Sequence, residues 1–169
     1  MATNARASRP PGADSAGEPG PWLNDDQLSA WLSLVALVVR LPAAIESQLQ
    51  RDANLAMVEY QVMAMLSRSP GRTLRMSELA TMTNVSISRL SHLVTRMEKR
   101  GLLTREADPA DGRFTNVILS EEGQRVLTEA APAHVTFVRQ IVIDALTPER
   151  LRRLGQDAQR ILTRVEAAR

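Results

Sequence analysis

The side chains with the most chemistry to offer are gathered in one stretch, NVSISRLSHLVTRMEKRG, residues 84–101. Advancing about 100° per residue, Ile87, Leu90, Leu93, Val94 and Met97 share one arc of a helix. Ser88, Arg89, His92, Thr95, Arg96 and Lys99 occupy the opposite side, and Glu98 falls between the two, so the outward side holds no acid. An ordinary solvated face mixes Glu with Lys and Arg. Hydroxyls, guanidinium groups and imidazole near a helix N-terminus suit a DNA major groove instead. Ser and Thr reach phosphates or base edges, Arg pairs with guanine, and small side chains let the backbone approach. A second group follows in DPADGR, 108–113, where a turn places Arg113 at a loop tip. From there the side chain can enter a minor groove, with Asp111 holding the guanidinium in one direction.

These residues need elements to hold them. SELATM, 77–82, reads as a short helix and TNV as a turn, so with the stretch above they form a helix-turn-helix. Gly101 is suited to close the second helix in a left-handed conformation. GLLTREA and FTNVILS then read as two strands joined by the turn-rich DPADGR, a β-hairpin with a longer loop. Upstream, an apolar-rich helix is expected from Asn24 to about Arg51, with Pro42 as a kink. Another follows with Leu55, Val58, Val62 and Leu66 on one stripe, ending before Pro70-Gly71. Downstream, Ser120 caps a helix whose first turn carries Glu121 and Glu122 and which Pro132 breaks or bends before about Leu146. Thr147-Pro148-Glu149 starts the last helix, with Leu151, Leu154, Ala158, Ile161, Leu162 and Val165 on one face.

Composition limits what such a chain can be. It has 169 residues, 44 % of them hydrophobic but only 3 % aromatic, which suits helices packed through Leu, Val, Ile, Met and Ala. Without cysteine it has no disulfide, thiolate metal site or thiol redox sensor, and it fits a reducing compartment. The formal charge of +2 is unevenly spread. Residues 71–113 hold eight Lys or Arg against five acids, +3, which leaves −1 for all the rest. That local excess favours an anionic partner. Residues 1–21, rich in Pro and Gly, read as a disordered arm without the apolar run of a signal peptide. The apolar block WLSLVALVV, 31–39, falls short of the roughly 20 residues of a membrane span, so a soluble, cytoplasmic protein is expected.

Taken together, MSELATMTNVSISRLSHLVTRMEKRGLL, the D-x-R of DPADGR and the following VILSEEG resemble the MarR family of winged helix-turn-helix regulators, over about Asn24 to the C-terminus. The resemblance implies a mainly α fold with a small β-hairpin wing. Its expected parts are an arm (1–21), an N-terminal dimerisation helix (22–54), a winged helix-turn-helix domain (55–119) and C-terminal dimerisation helices (120–169). It also implies a homodimer on double-stranded DNA, with a near-palindromic operator as the symmetric counterpart of two recognition helices, and repression as the default action. Carried over by position, Ser86, Ser88, Arg89, Ser91 and His92 meet DNA from the recognition helix. Arg113 enters the minor groove from the wing with Asp111 as its brace, and Thr95 and Arg96 extend the same outward face. Many members have Arg where this chain has His92.

The family commonly releases DNA when a small, often aromatic and anionic, molecule enters between the dimer lobe and the winged domain. Candidates here are Trp31, Met57, Tyr60 and His134, with Arg40 or Arg139 as charged partners. The plainer reading makes Trp31 and Met57 core, His134 a structural histidine, and Tyr60 a residue whose hydroxyl needs a partner if buried. Nothing implies an enzyme: there are two histidines, no metal-ligand cluster, no cofactor motif, and the glycines of GADSAGEPG do not lie between a strand and a helix. The competing reading is a winged helix serving as a protein-interaction or architectural module without operator specificity.

Overall fold

Helix starts in this chain are set by side chains that take up free backbone N–H groups. The computed structural model describes residues 22–168; the expected arm lies outside them. Helix α1, Asp25–Ala53, opens on a reciprocal cap. Asn24 Oδ1 accepts from the Gln27 N–H at 2.9 Å and Gln27 Oε1 accepts from the Asn24 N–H at 3.0 Å. The helix runs on through Pro42. It is followed by α2 (Met57–Arg68), β1 (Thr73–Arg75), α3 (Met76–Thr83), α4 (Ile87–Lys99), β2 (Leu103–Ala107), β3 (Thr115–Leu119), α5 (Glu121–Val138) and α6 (Pro148–Ala167). The protein is thus mainly helical with a small sheet.

The strands include the expected hairpin, β2 with β3, and add a third member, β1. They form an antiparallel sheet in the order β1-β3-β2, with Thr73 opposite Ile118 and Leu103 opposite Leu119. β1 has three residues, too few to show the alternation by which a strand is recognised. Neither does Pro132 end its helix: α5 continues to Val138 and passes into a π turn, Arg139–Ile143. Thr147 caps α6 as expected, accepting from the Arg150 N–H at 3.3 Å.

The chain divides into two compact units, one reaching Leu41 and the other starting at Pro42. The second unit contains the core, in which Leu55, Val62, Met63, Leu66, Leu79, Leu90, Val94, Met97, Leu103 and Val117 are buried. Each such side chain stabilises the fold by about 1.5–3 kcal/mol relative to exposure. The start of α5 is stitched to the end of α4. Ser120 Oγ accepts from the Gly123 N–H at 2.9 Å and donates to the Gly101 carbonyl at 2.6 Å, while the Ser120 N–H donates to the Leu102 carbonyl at 3.1 Å. Gly123 lies so close to Leu102 that a Cβ there would stand 2.2 Å from the Leu102 carbonyl oxygen.

Two apolar surfaces remain uncovered. On α6 no residue is buried, and Leu154, Ile161, Leu162 and Val165 of the expected face are exposed. In the first unit Leu28, Trp31, Leu32, Val38 and Val39 are exposed as well, so Trp31 is not buried by the described residues. Among the described residues α1 is also the one helix long and apolar enough to cross a membrane by length and composition. The helix extends well beyond its 31–39 block, and core helices of soluble proteins meet the same test.

Candidate nucleic-acid interface

The turn between α3 and α4 is closed by Asn84 at φ 53°, a left-handed conformation that Asn tolerates. The Asn84 N–H donates to the Thr81 carbonyl and the Val85 N–H to that of Ala80, both at 3.1 Å, which completes a Schellman closure. Ser86 then caps α4, its Oγ accepting from the Arg89 N–H at 3.4 Å and lying 3.2 Å from the Ser88 hydroxyl. At the other end Gly101, at φ 72°, repeats the closure: its N–H donates to the Glu98 carbonyl at 2.9 Å and the Leu102 N–H to Met97 at 3.0 Å. Arg100 fastens that end to α2. Its Nη1 donates to Glu59 Oε2 at 3.0 Å and its Nη2 to the Asn54 carbonyl at 3.4 Å. Glu59 is buried and also accepts from the Ala56 N–H at 3.0 Å, so one carboxylate serves both a helix start and an ion pair.

This frame sorts the side chains of α4 much as their spacing predicts. Leu90, Leu93, Val94 and Met97 are buried, while Ser88, Arg89, His92, Arg96 and Lys99 are exposed. Ser91 and Thr95 are half-buried, the Thr95 hydroxyl donating to the Ser91 carbonyl at 2.9 Å. Ile87 departs from the expectation: it is 57 % exposed, because the apolar arc runs one turn beyond the surface that covers it. Among the described residues Arg89, His92, Arg96 and Lys99 have no ion-pair partner, whereas Glu98 is taken up by Arg105 of β2. The positive face is therefore available, and the one nearby acid ties the helix to the strand behind it.

At the tip of the β2–β3 loop, Asp111 and Arg113 meet as their spacing suggested. Arg113 Nε lies 2.9 Å from Asp111 Oδ1, and Nη2 lies 2.6 Å from Oδ2, a two-pronged pair with the arginine side chain 86 % exposed. The Arg113 side-chain hydrogen bond holds the Asp111 carboxyl below its usual range, so the brace is charged at neutral pH. A second bracket was missed in the sequence. Arg75 Nε donates to Asp108 Oδ2 at 2.8 Å, and its guanidinium lies 4.6 Å from the centre of the Phe114 ring. Asp108 is buried and accepts from the Ala110 N–H at 2.8 Å, the contact that chiefly lowers its pKa, with Arg75 adding to it. No local pattern marks Arg75, since its two partners come from a loop more than 30 residues later.

The effector candidates are only partly brought together. Tyr60 and His134 are in ring contact, their centroids 4.5 Å apart. His134 Nδ1 lies 2.9 Å from Oε1 of Gln48, a buried residue whose Nε2 donates to Asp52 Oδ2 at 3.0 Å. Because the amide oxygen only accepts, the proton sits on Nδ1, and Gln48 is a member of this cluster that its apolar helix gave no reason to single out. Met57 is half-buried, its N–H donating to Glu46 Oε2 at 2.7 Å. Trp31 belongs to the other unit, and Arg139 pairs with Asp144 at 3.0 Å. Burial raises the Tyr60 pKa, and burial lowers that of His134. A depressed histidine pKa means that the folded chain binds fewer protons than the unfolded chain. Its contribution is full above the unfolded value of about 6.5 and is lost as pH falls below it. Urea midpoints are accordingly expected to drop from pH 7.5 to 5.5, and to drop less in His134→Asn; parallel curves for the two proteins would contradict this.

Comparison with known proteins now places the chain. A sequence model of the MarR family matches residues 53–113. The transcriptional regulator HosA of Escherichia coli O111:H- is 33 % identical over 109 residues, 64 % of this chain and 72 % of HosA. This chain belongs to the MarR family. Among solved structures, Sco3205, a MarR family transcriptional regulator from Streptomyces coelicolor crystallised in complex with DNA, is 41 % identical with a TM-score of 0.82. The match covers 85 % of this chain and 94 % of that one. AbsC, a MarR family regulator from the same organism, is 37 % identical with a TM-score of 0.83, covering 88 % and 99 %. The MarR fold is the one described above, mostly helical around a small antiparallel sheet, and its relatives here are transcriptional regulators rather than enzymes. As a MarR-family member the protein is a DNA-binding regulator of transcription.

Proposed function

We propose that the protein is a homodimeric repressor that reads a near-palindromic operator and lets go of it when a small, aromatic and anionic molecule binds. The observation that carries this reading is the exposed, acid-free flank of α4, with Arg89, His92, Arg96 and Lys99 unpaired among the described residues. A braced arginine on the wing accompanies it. Ser86, Ser88 and Ser91 add short donors near the helix start, and Thr95 supports them from half-buried depth. The uncovered apolar face of α6 supports association, since exposed Leu154, Ile161, Leu162 and Val165 gain about 25 cal/mol for each Å² that a second copy would cover. Two copies related by a two-fold axis present two recognition helices, so half-sites are inverted and about one helical turn apart. Such a dimer lying across a promoter excludes polymerase.

For the effector, the support is the Tyr60–His134 contact with Gln48 behind it, an aromatic and polar cluster with two polar groups shifted by burial. The coupling needed for release is modest, about 1–3 kcal/mol. Selection of bound duplexes from a random pool, followed by footprinting in rising salt, tests the reading. An inverted repeat that stays protected over background is expected, and binding that shows only counter-ion release would overturn it in favour of an architectural role. In the same assay His92→Ala is expected to change the preferred base at one position per half-site; an unchanged motif would remove His92 from base reading.

A further inference from the structure

The position of Ile87 is unexplained by folding. It is the first residue of α4 and more than half exposed, although its arc-mates Leu90, Val94 and Met97 are buried. Its side chain leans towards the helix N-terminus, as all helical side chains do, and so projects past the end of the core. Scattered exposed apolar residues are normal on any surface. This one is distinguished by its company. It sits between the capping Ser86 and the exposed Ser88 and Arg89, at the end of the helix that the operator reading sends into the groove. It also borders a shallow hollow whose other walls, Ser77, Ala80, Thr81, Asn84 and Val85, are small and uncharged. Beside a base edge, a branched apolar side chain has one natural partner, the C5-methyl of thymine, the only apolar group that the major groove displays.

We infer that Ile87 is a specificity-determining residue that packs on a thymine methyl once in each half-site. The inference rests on the operator reading, and the two fail in different ways. Among the other side chains assigned to this face, Ser88, Arg89, His92 and Arg96 read hydrogen-bonding groups or charge, while Thr95, which also carries a methyl, is half-buried about two turns further on with its hydroxyl bound to the Ser91 carbonyl. Deoxyuridine keeps the hydrogen-bonding pattern of thymine and lacks only the methyl.

The test uses the full-length protein and the duplex recovered by selection, with each thymine replaced in turn by deoxyuridine. For the native protein, one thymine per half-site is expected to show an affinity loss of about fourfold, the worth of one buried methyl group. Changing both half-sites together should then cost about fifteenfold, because distant contacts add. Ile87→Ala is expected to bind the thymine and deoxyuridine duplexes equally, with an unaltered melting temperature because the side chain is exposed. Equal affinity of the native protein for every substituted duplex would overturn the inference, as would Ile87→Ala retaining the discrimination or a selected motif without thymine. In each case the operator reading would stand. Failure to recover any motif would overturn the operator reading itself, and the assignment of Ile87 with it.

Discussion

Gly123→Ala is expected to destabilise the protein by about 3 kcal/mol, at the upper end of what overpacking costs. Two effects oppose each other at this position. Alanine inside a helix is favoured over glycine by about 0.5–1 kcal/mol, because the unfolded chain loses freedom. Against that, the new Cβ would stand 2.2 Å from the Leu102 carbonyl oxygen and 2.6 Å from Leu119 Cδ1. A leucine methyl can turn aside, but the carbonyl cannot, since it accepts the Ser120 N–H and belongs to the chain leaving Gly101. The first turn of α5 must therefore move away from the sheet, disturbing the Ser120 cap with it. The clash outweighs the propensity gain. Chemical denaturation with a shifted midpoint would confirm the expectation, and a variant as stable as the native protein would show that α5 slides without cost.

Arg113→Ala is expected to weaken operator binding about a hundredfold while leaving the melting temperature alone. The side chain is almost wholly exposed and supports nothing in the fold beyond its bond to Asp111. One groove arginine is worth about tenfold or more, and a dimer brings two wings to the same duplex. Asp111→Asn separates charge from orientation. It makes the loop one unit more positive, which by long-range attraction alone tightens binding, but it removes the charged half of the two-pronged pair. If the brace matters for aiming the guanidinium, the variant binds more weakly in spite of its extra charge. Gel-shift titration of the three proteins at one fixed salt concentration decides it; an Arg113→Ala protein with native affinity would place the wing away from DNA.

Much of this architecture is legible before any coordinates. Ser120 and Thr147 announce helix starts by residue type, and Gly101 announces an end, because caps are local chemistry. The outward face of α4 follows from periodicity alone. What escapes notice is non-local. Periodicity assigns Ile87 to an arc but does not reveal where the covering surface stops. β1 is too short to have a pattern, and it becomes a strand only because β3 offers it an edge. Arg75 and Gln48 act through partners distant in sequence, and the need for glycine at 123 comes from a carbonyl on another segment. The exposed faces of α1 and α6 are a related case, for the stripe is plain in the sequence but the described residues do not cover it.

Closures at Asn84 and Gly101, with Arg100 gripped by Glu59, leave α4 no slack at either end. A reader so held behaves like type set in a frame, whose letters cannot be altered by pushing on the press. On the proposed reading, a signal arriving near Tyr60 and His134 acts on the separation between the two readers of a dimer rather than on the shape of α4. An inducer would change whether both land on one duplex at once, and each half-site, tested singly, would keep its spelling.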